Sequence, residues 1–299
     1  MKLIFMGTPE FARVSLERLY NDGHDITGVF TQADKPKNRG MKVGFSPVKE
    51  LALEHGTPVY QPSKLSADLL NDLNFDLVAV VAYGRMLPRE ILEMPSLGCI
   101  NIHGSLLPKY RGASPVQHAI MSGAKETGVT SQYMAEAMDA GDIIMSAKTQ
   151  IGEEETASDL FDRLGKIGAG LLCETIDAIK RGEAVRRPQN HDEATYAPLI
   201  TREMSPIDWS ISAYEIKCKV RGLIPWPVAT MQLGDKTLKV YSVDVTSNKT
   251  NCAAGTVVSH GKAGLEIACG DGTVIISKLQ APGGKIMTAA EYLRGNPVL

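Results

Sequence analysis

Between residues 2 and 82, short apolar runs alternate with amphipathic ones, and this alternation narrows the possible folds more than any other feature of the chain. Lys2 to Met6, Asp25 to Thr31 and Leu77 to Ala82 read as strands; Pro9 to Tyr20 and Pro47 to His55 read as helices. Strands that are apolar throughout, rather than at every second residue, are buried on both faces, and strands separated by helices pair in parallel. In the first helix Ala12, Leu16 and Leu19 recur at i, i+4 and i+7, with Thr8 placed to cap and Pro9 suited to the first turn. Farther on, Thr156 to Arg181 is the longest helical pattern, with Leu160, Leu164, Ile167 and Leu171 on one stripe that packs on a sheet.

The expected first domain is α/β, with a mostly parallel, Rossmann-like sheet. At 299 residues, 43% of them hydrophobic, the chain can build two cores. From Arg186 to Pro206 no periodicity is visible, so the boundary is expected near Pro206: residues 1–205, including a connection from about 186, then residues 206–299. The second part opens with an amphipathic piece, Ile211 to Val220. Short β-type runs follow at Thr237 to Val243, Gly255 to Val258, Leu265 to Ala268 and Val274 to Lys278. They suit a small closed β-barrel, although periodicity alone serves a sandwich equally well. Residues 206–299 hold ten Lys or Arg against seven Asp or Glu, a net of +3 which, with −2 overall, leaves −5 for the rest. A weakly basic small domain suits RNA contact.

Several common functions drop out. Leu3 to Met6 is too short for a signal segment before Gly7-Thr8-Pro9, and no later stretch approaches a membrane span, so a cytoplasmic location is expected. The cysteines, Cys99, Cys173, Cys218, Cys252 and Cys269, are widely spaced and odd in number, which indicates reduced thiols rather than disulfides or a thiolate zinc site. His24, His55, His118, His191 and His260 read as surface or packing residues, and no metal is expected. The first turn, Gly7-Thr8-Pro9-Glu10-Phe11, lacks the further glycines that bring backbone against a pyrophosphate. Neither G-x-x-x-x-G-K-[ST] nor G-x-S-x-G occurs.

The chemistry concentrates in Cys99-Ile100-Asn101-Ile102-His103-Gly104-Ser105-Leu106-Leu107-Pro108. Strand alternation aims Asn101 and His103 the same way, beyond the carboxyl end of a strand, where α/β sheets bind ligands. An amide donor beside an imidazole can polarise a carbonyl and manage a proton, which is what acyl transfer needs. Asp139, in Met134-Ala135-Glu136-Ala137-Met138-Asp139-Ala140-Gly141-Asp142, is the third candidate: its carboxylate can orient the imidazole or hold a relaying water.

These residues, with Ser105-Leu106-Leu107-Pro108, Arg111-Gly112-Ala113-Ser114-Pro115 and Asp139-Ala140-Gly141-Asp142, resemble the formyltransferases that use 10-formyltetrahydrofolate, over nearly the whole chain. Gly7-Thr8-Pro9-Glu10-Phe11-Ala12 and Arg221-Gly222-Leu223-Ile224-Pro225-Trp226-Pro227 resemble the branch that formylates initiator methionyl-tRNA in translation initiation. The resemblance implies Asn101, His103 and Asp139 as the catalytic trio, without deciding whether His103 or Asp139 carries the proton. It implies 10-formyltetrahydrofolate as co-substrate, in a pocket walled by Met86, Leu87, Ser105, Leu106, Leu107, Pro108, Ala137 and Asp142. Ala137 departs from the Gly usual there. It makes the small domain OB-like and tRNA-binding, with Lys217 and Arg221 (and Lys219 between them) either facing RNA or forming a solvated helix face. It makes the basic loop Gln32 to Gly44, with Lys35, Lys37, Arg39 and Lys42, an arm for the tRNA acceptor end. Trp209 and Trp226 read as packing. No obligate protein partner is evident. The rivals are a formyltransferase or deformylase acting on a small amine or folate, and a non-catalytic folate- or RNA-binding regulator.

Overall fold

The computed structural model describes residues 1–37 and 42–296, and for residues 35–37 and 42–43 the backbone alone. In chain order the elements are β1 (Lys2–Gly7), α1 (Glu10–Asn21), β2 (Asp25–Phe30), β3 (Lys35–Lys37), β4 (Lys42–Gly44), α2 (Pro47–Glu54), β5 (Val59–Tyr60), β6 (Leu77–Val81), α3 (Arg89–Leu92), β7 (Cys99–His103), α4 (Pro115–Met121), β8 (Glu126–Tyr133), β9 (Ile143–Gln150) and α5 (Ala157–Lys180). Then come α6 (Ala213–Gly222), β10 (Ala229–Leu233), β11 (Lys236–Val245), β12 (Val257–His260), β13 (Leu265–Cys269), β14 (Gly272–Gln280), β15 (Ile286–Thr288) and α7 (Ala289–Gly295). They make two compact units: Met1–Pro115 with Glu126–Gln150 and Phe161–Pro198, and Val116–Lys125 with Ile151–Leu160 and Leu199–Leu299.

The first unit is built on a seven-stranded sheet in the order β5-β2-β1-β6-β7-β8-β9. The first five run parallel, and β8 and β9 are antiparallel additions, so the sheet is mostly parallel and Rossmann-like as expected. Both faces are covered, which is why the strand runs are apolar throughout. Ile4 and Met6 of β1 enter a cluster with Phe30, Val78, Val80, Leu70 and Ile91. On the other face lies α1, close enough that a Cβ on Gly7 would sit 2.6 Å from Ala12 Cβ. On that same face the Phe11 ring packs at a tilt against Phe161 of α5, 4.9 Å between ring centres, and Gly168 lets α5 approach Ile102 of β7. Burial of one such Leu, Ile or Phe side chain contributes about 1.5–3 kcal/mol.

Two local expectations change. Thr8 does not cap α1: Pro9 is the N-cap residue and makes no side-chain cap, while Thr8 Oγ accepts from Gln32 N at 3.3 Å, a tie between strand ends. The strand β8 has no counterpart in the apolar pattern because its buried residues include Thr127, Thr130, Ser131 and Gln132. Ser131 is held by Thr175 of α5 at 2.8 Å and Thr130 donates to Ser105 O at 2.7 Å, so these two hydroxyls are buried with partners, whereas that of Thr127 is buried without one.

The second unit has an antiparallel sheet ordered β10-β11-β14-β13-β12, with β15 on β14. Its core joins Ile216 and Val220 of α6 to Leu238, Val240, Ile267, Val274 and Ile276. The ladder ends at β10 and β12, so the small barrel is a curled half-barrel rather than a closed one. Trp209 packs against this core as expected, whereas Trp226 is 50% exposed.

Helix α6 starts at a capping box, Ser212 with Glu215, and its basic residues are not the free cations the sequence suggested. Arg221 is buried, its Nη1 donating to Gly152 O at 2.9 Å and Glu155 O at 3.1 Å, because i+4 spacing puts it on the face of Lys217, which meets the segment from Gly152 to Glu155. Lys217 pairs with Glu154, and Lys219, its ammonium pushed down from the usual lysine range by burial, donates to Pro206 O at 2.6 Å. Arg221 is therefore held by the protein's own backbone and is not a free cation on the helix surface. Arg221→Ala removes a charged donor from two part-buried carbonyls and is expected to cost about 1–3 kcal/mol in a denaturant titration; an unshifted unfolding midpoint would contradict this placement.

Candidate active site

On β7, Cys99, Asn101 and His103 share one face, opposite Ile100 and Ile102, and antiparallel pairing sets Gln132 of β8 beside Asn101 and Thr130 beside His103. Among the described residues no side chain or backbone group holds the Asn101 amide, which leaves it free for a ligand. Buried His103 is held at both nitrogens. Its Nε2 lies 2.9 Å from Tyr110 O. A carbonyl only accepts, so Nε2 carries a proton and Nδ1 is the nitrogen left to exchange one. Nδ1 faces Asp139 Oδ2 at 3.6 Å, an ion-pair separation that becomes attractive when Nδ1 is protonated.

Asp139 sits in the turn between β8 and β9 with φ +50°, left-handed backbone that Asp tolerates better than most residues. Gly112 N donates to its Oδ2 at 2.8 Å and Gln132 Nε2 to its Oδ1 at 3.2 Å. Gly141 closes the turn: a Cβ there would lie 1.8 Å from Tyr133 O. Ala137 lies outside the left-handed region, so this turn does not require the Gly that the family pattern has.

The structure brings Asn101, His103 and Asp139 together and redistributes the expected folate contacts. Ser105 is wholly buried and its hydroxyl donates to Lys109 O at 2.6 Å, so it braces the Leu106-Leu107-Pro108 turn instead of lining a pocket. Leu107 and Leu87 are buried too, and Leu107 N donates to Thr130 Oγ at 3.1 Å. Met86, Ala137 and Met138 are exposed, and Leu106, Pro108 and Asp142 partly so. Two clefts of about 390 and 260 Å³ open at the amino end of β7, around Leu92, Gly98, Tyr133 and Arg186, and none of the trio lines either. The smaller also touches Met134, Glu136 and Cys99, the last on the same face of β7 as Asn101. There the Arg186 guanidinium lies 3.7 Å from the Tyr133 ring centre. Burial pushes the Cys99 thiol up to about 12, which keeps it protonated and inert.

The supports of the site carry no local sequence signal. Arg111 and Gln189 are buried and joined, and His191, expected at the surface or in packing, accepts from Arg111 Nη2 at 3.1 Å. Gln132 was unread because polar residues in a strand look like surface. The basic loop contains an antiparallel pair, β3 with β4, whose registers include Lys37 with Lys42. Asp34, at its base, accepts from Lys49 and from Gln61. Of the arm's cations, Arg39 lies outside the described residues and Lys35, Lys37 and Lys42 are placed by backbone only. The only described His/Cys/Asp/Glu group that close, Asp22, His24 and Cys173, spans up to 4.8 Å and already has Arg18 on Asp22 at 2.7 Å. No helix among the described residues is long and apolar enough to cross a membrane.

An unpartnered amide beside a His–Asp pair on a mostly parallel sheet is the set of groups that acyl transfer needs, and the chain belongs to the formyl transferase family, matching Formyl transferase over residues 1–176 and Formyl transferase, C-terminal domain, over residues 199–297. It is 45% identical over 302 aligned residues to methionyl-tRNA formyltransferase of Clostridioides difficile (strain 630), covering 100% of this chain and 98% of that one. Within the family it therefore belongs with the methionyl-tRNA formyltransferases. Two solved structures share the fold. An N-formyltransferase from Helicobacter canadensis, in complex with folinic acid and dTDP-3-aminofucose, has a TM-score of 0.69 at 19% identity, covering 92% of this chain and 98% of that one. HypX from Aquifex aeolicus, in complex with tetrahydrofolic acid, has a TM-score of 0.65 at 19% identity and covers 98% of this chain but only 47% of HypX.

Proposed function

We propose that the chain transfers the formyl group of 10-formyltetrahydrofolate to the amino group of methionine on initiator tRNA, in the cytoplasm. The observation that carries this reading is the unpartnered Asn101 amide beside the His103–Asp139 pair, in a chain of this kinship. Attack of the amine on the formyl carbon forms one C–N bond and puts negative charge on the formyl oxygen, to which the Asn101 amide donates. The amine must then lose a proton and the leaving folate nitrogen must gain one as its C–N bond breaks. His103 Nδ1 accepts the first proton and returns it to the leaving nitrogen, with Asp139 stabilising the imidazolium between the two steps. The donor lies against Met86, Leu106 and Pro108 and the turn from Ala137 to Asp142, its remoter part entering the cleft beside Cys99 and Met134. The cations Lys35, Lys37, Arg39 and Lys42 meet acceptor-end phosphates, which makes turnover salt-sensitive, and residues 206–299 supply the remaining tRNA contact.

The test supplies 10-formyltetrahydrofolate with methionyl initiator tRNA, free methionine, a charged elongator tRNA or a small amino sugar. Formyl transfer is expected to the initiator alone. Transfer to the sugar and not to tRNA would keep the trio's chemistry and overturn the substrate; no transfer to any acceptor would favour a binding regulator.

A further inference from the structure

Gln189 lies after α5 in a segment without sequence periodicity, yet it is 7% exposed and sits where two loops of the site meet. Its Oε1 accepts from Arg111 Nε at 3.1 Å and Nη2 at 2.6 Å. Its Nε2 donates to Asp139 O at 2.8 Å and to Gly141 O at 2.7 Å, with Gln132 Oε1 at 3.3 Å beyond them. These partners fix the amide's orientation, because a guanidinium only donates and a carbonyl only accepts. Arg111, 4% exposed, is itself anchored: its N donates to Thr195 O at 2.8 Å and its O accepts from Ala197 N at 2.7 Å. One neutral side chain thus ties the loop that supplies Gly112 N to the turn that supplies Asp139, and both meet at Asp139 Oδ2.

We propose that Gln189 is a positioning residue for formyl transfer: by holding the carbonyls of Asp139 and Gly141 it keeps the Asp139 carboxylate at His103. The inference rests on the reading of Asp139 as catalytic. The left-handed backbone at Asp139 explains why a clamp is needed, since an L residue leaves that region readily when its carbonyl is released. Glutamine suits the task because it offers an acceptor to the cation and two donors to the carbonyls, and it brings no charge of its own beside Asp139.

Gln189→Glu retains size and the Arg111 partner but removes both donors. The full-length variant is expected to lose roughly 10- to 100-fold in kcat, with KM for the formyl donor and for charged tRNA within about twofold, as for a catalytic group displaced by about an ångström. A double-mutant cycle with Asp139→Asn separates positioning from general weakening. If Gln189 acts through Asp139, adding Gln189→Glu to Asp139→Asn changes kcat by less than about twofold. An equal loss in both backgrounds, or an effect on KM alone, overturns the proposal. If Asp139→Asn by itself is fully active, the reading of the site fails first, and the positioning role with it. Should Gln189→Glu lower the melting midpoint, Gln189→Met, uncharged and of similar volume, provides the same cycle.

Discussion

Replacing His103 by alanine should lower kcat by about 10²- to 10⁴-fold while leaving the binding of charged tRNA largely intact, the range for loss of a positioned proton-transfer group. The side chain is buried and makes one hydrogen bond, from Nε2 to Tyr110 O, so its removal costs the fold about 1–3 kcal/mol, which a denaturant titration reads apart from the rate. Folding and chemistry therefore separate at this residue. Asn101→Ala belongs to the same experiment. Its amide bonds to nothing else among the described residues, and loss of one oxyanion donor lowers kcat by about 10²- to 10³-fold. Single-turnover formylation under saturating tRNA measures both. An alanine variant retaining more than about a tenth of the wild-type rate would remove that residue from the chemistry, and a parallel loss of tRNA affinity would refute the division between a chemical site and separate tRNA contacts.

Gly141→Ala should be nearly as damaging, although Gly141 performs no chemistry. A Cβ there would lie 1.8 Å from Tyr133 O and 2.9 Å from Tyr133 C, and both are backbone atoms that no rotamer change can move aside. Tyr133 N in turn donates to Asp142 O at 2.9 Å, so the two sides of the turn cannot part without losing that bond. The turn must shift, Asp139 shifts with it, and displacement by about an ångström lowers kcat by about 10²-fold. Overpacking should also cost about 1–3 kcal/mol in denaturant. Retention of full kcat in Gly141→Ala would show that the turn adapts without moving Asp139 and that its shape does not set the rate.

Part of the site was legible because strand geometry obeys a short-range rule. Asn101 and His103 are two residues apart on a strand, and period two puts them on one face whatever surrounds them. Asp139 was legible as a turn residue, but its distance from His103 was not, since 36 positions separate them and the register of β7 on β8 brings them together. The small domain shows the opposite failure. Lys217 and Arg221 lie on a helical stretch and are expected to face RNA or solvent, but which face of α6 is buried depends on Gly152 to Glu155, distant in sequence, and Arg221 ends up inside.

The parallel αβ order, the paired Asn101 and His103, the turn at Asp139 and the kinship are all legible along the chain, because each depends on local periodicity or on contiguous motifs. It takes the packed fold to show that Ser105 bonds within its own turn, that Arg221 is buried, that β8 is a buried polar strand, and that Gln132 and Gln189 bond to Asp139 with Arg111 behind Gln189. The physical reason is common to all four. A buried polar group must find its partners, and those partners come from distant parts of the chain, so its identity carries no local signal until the fold supplies the neighbour.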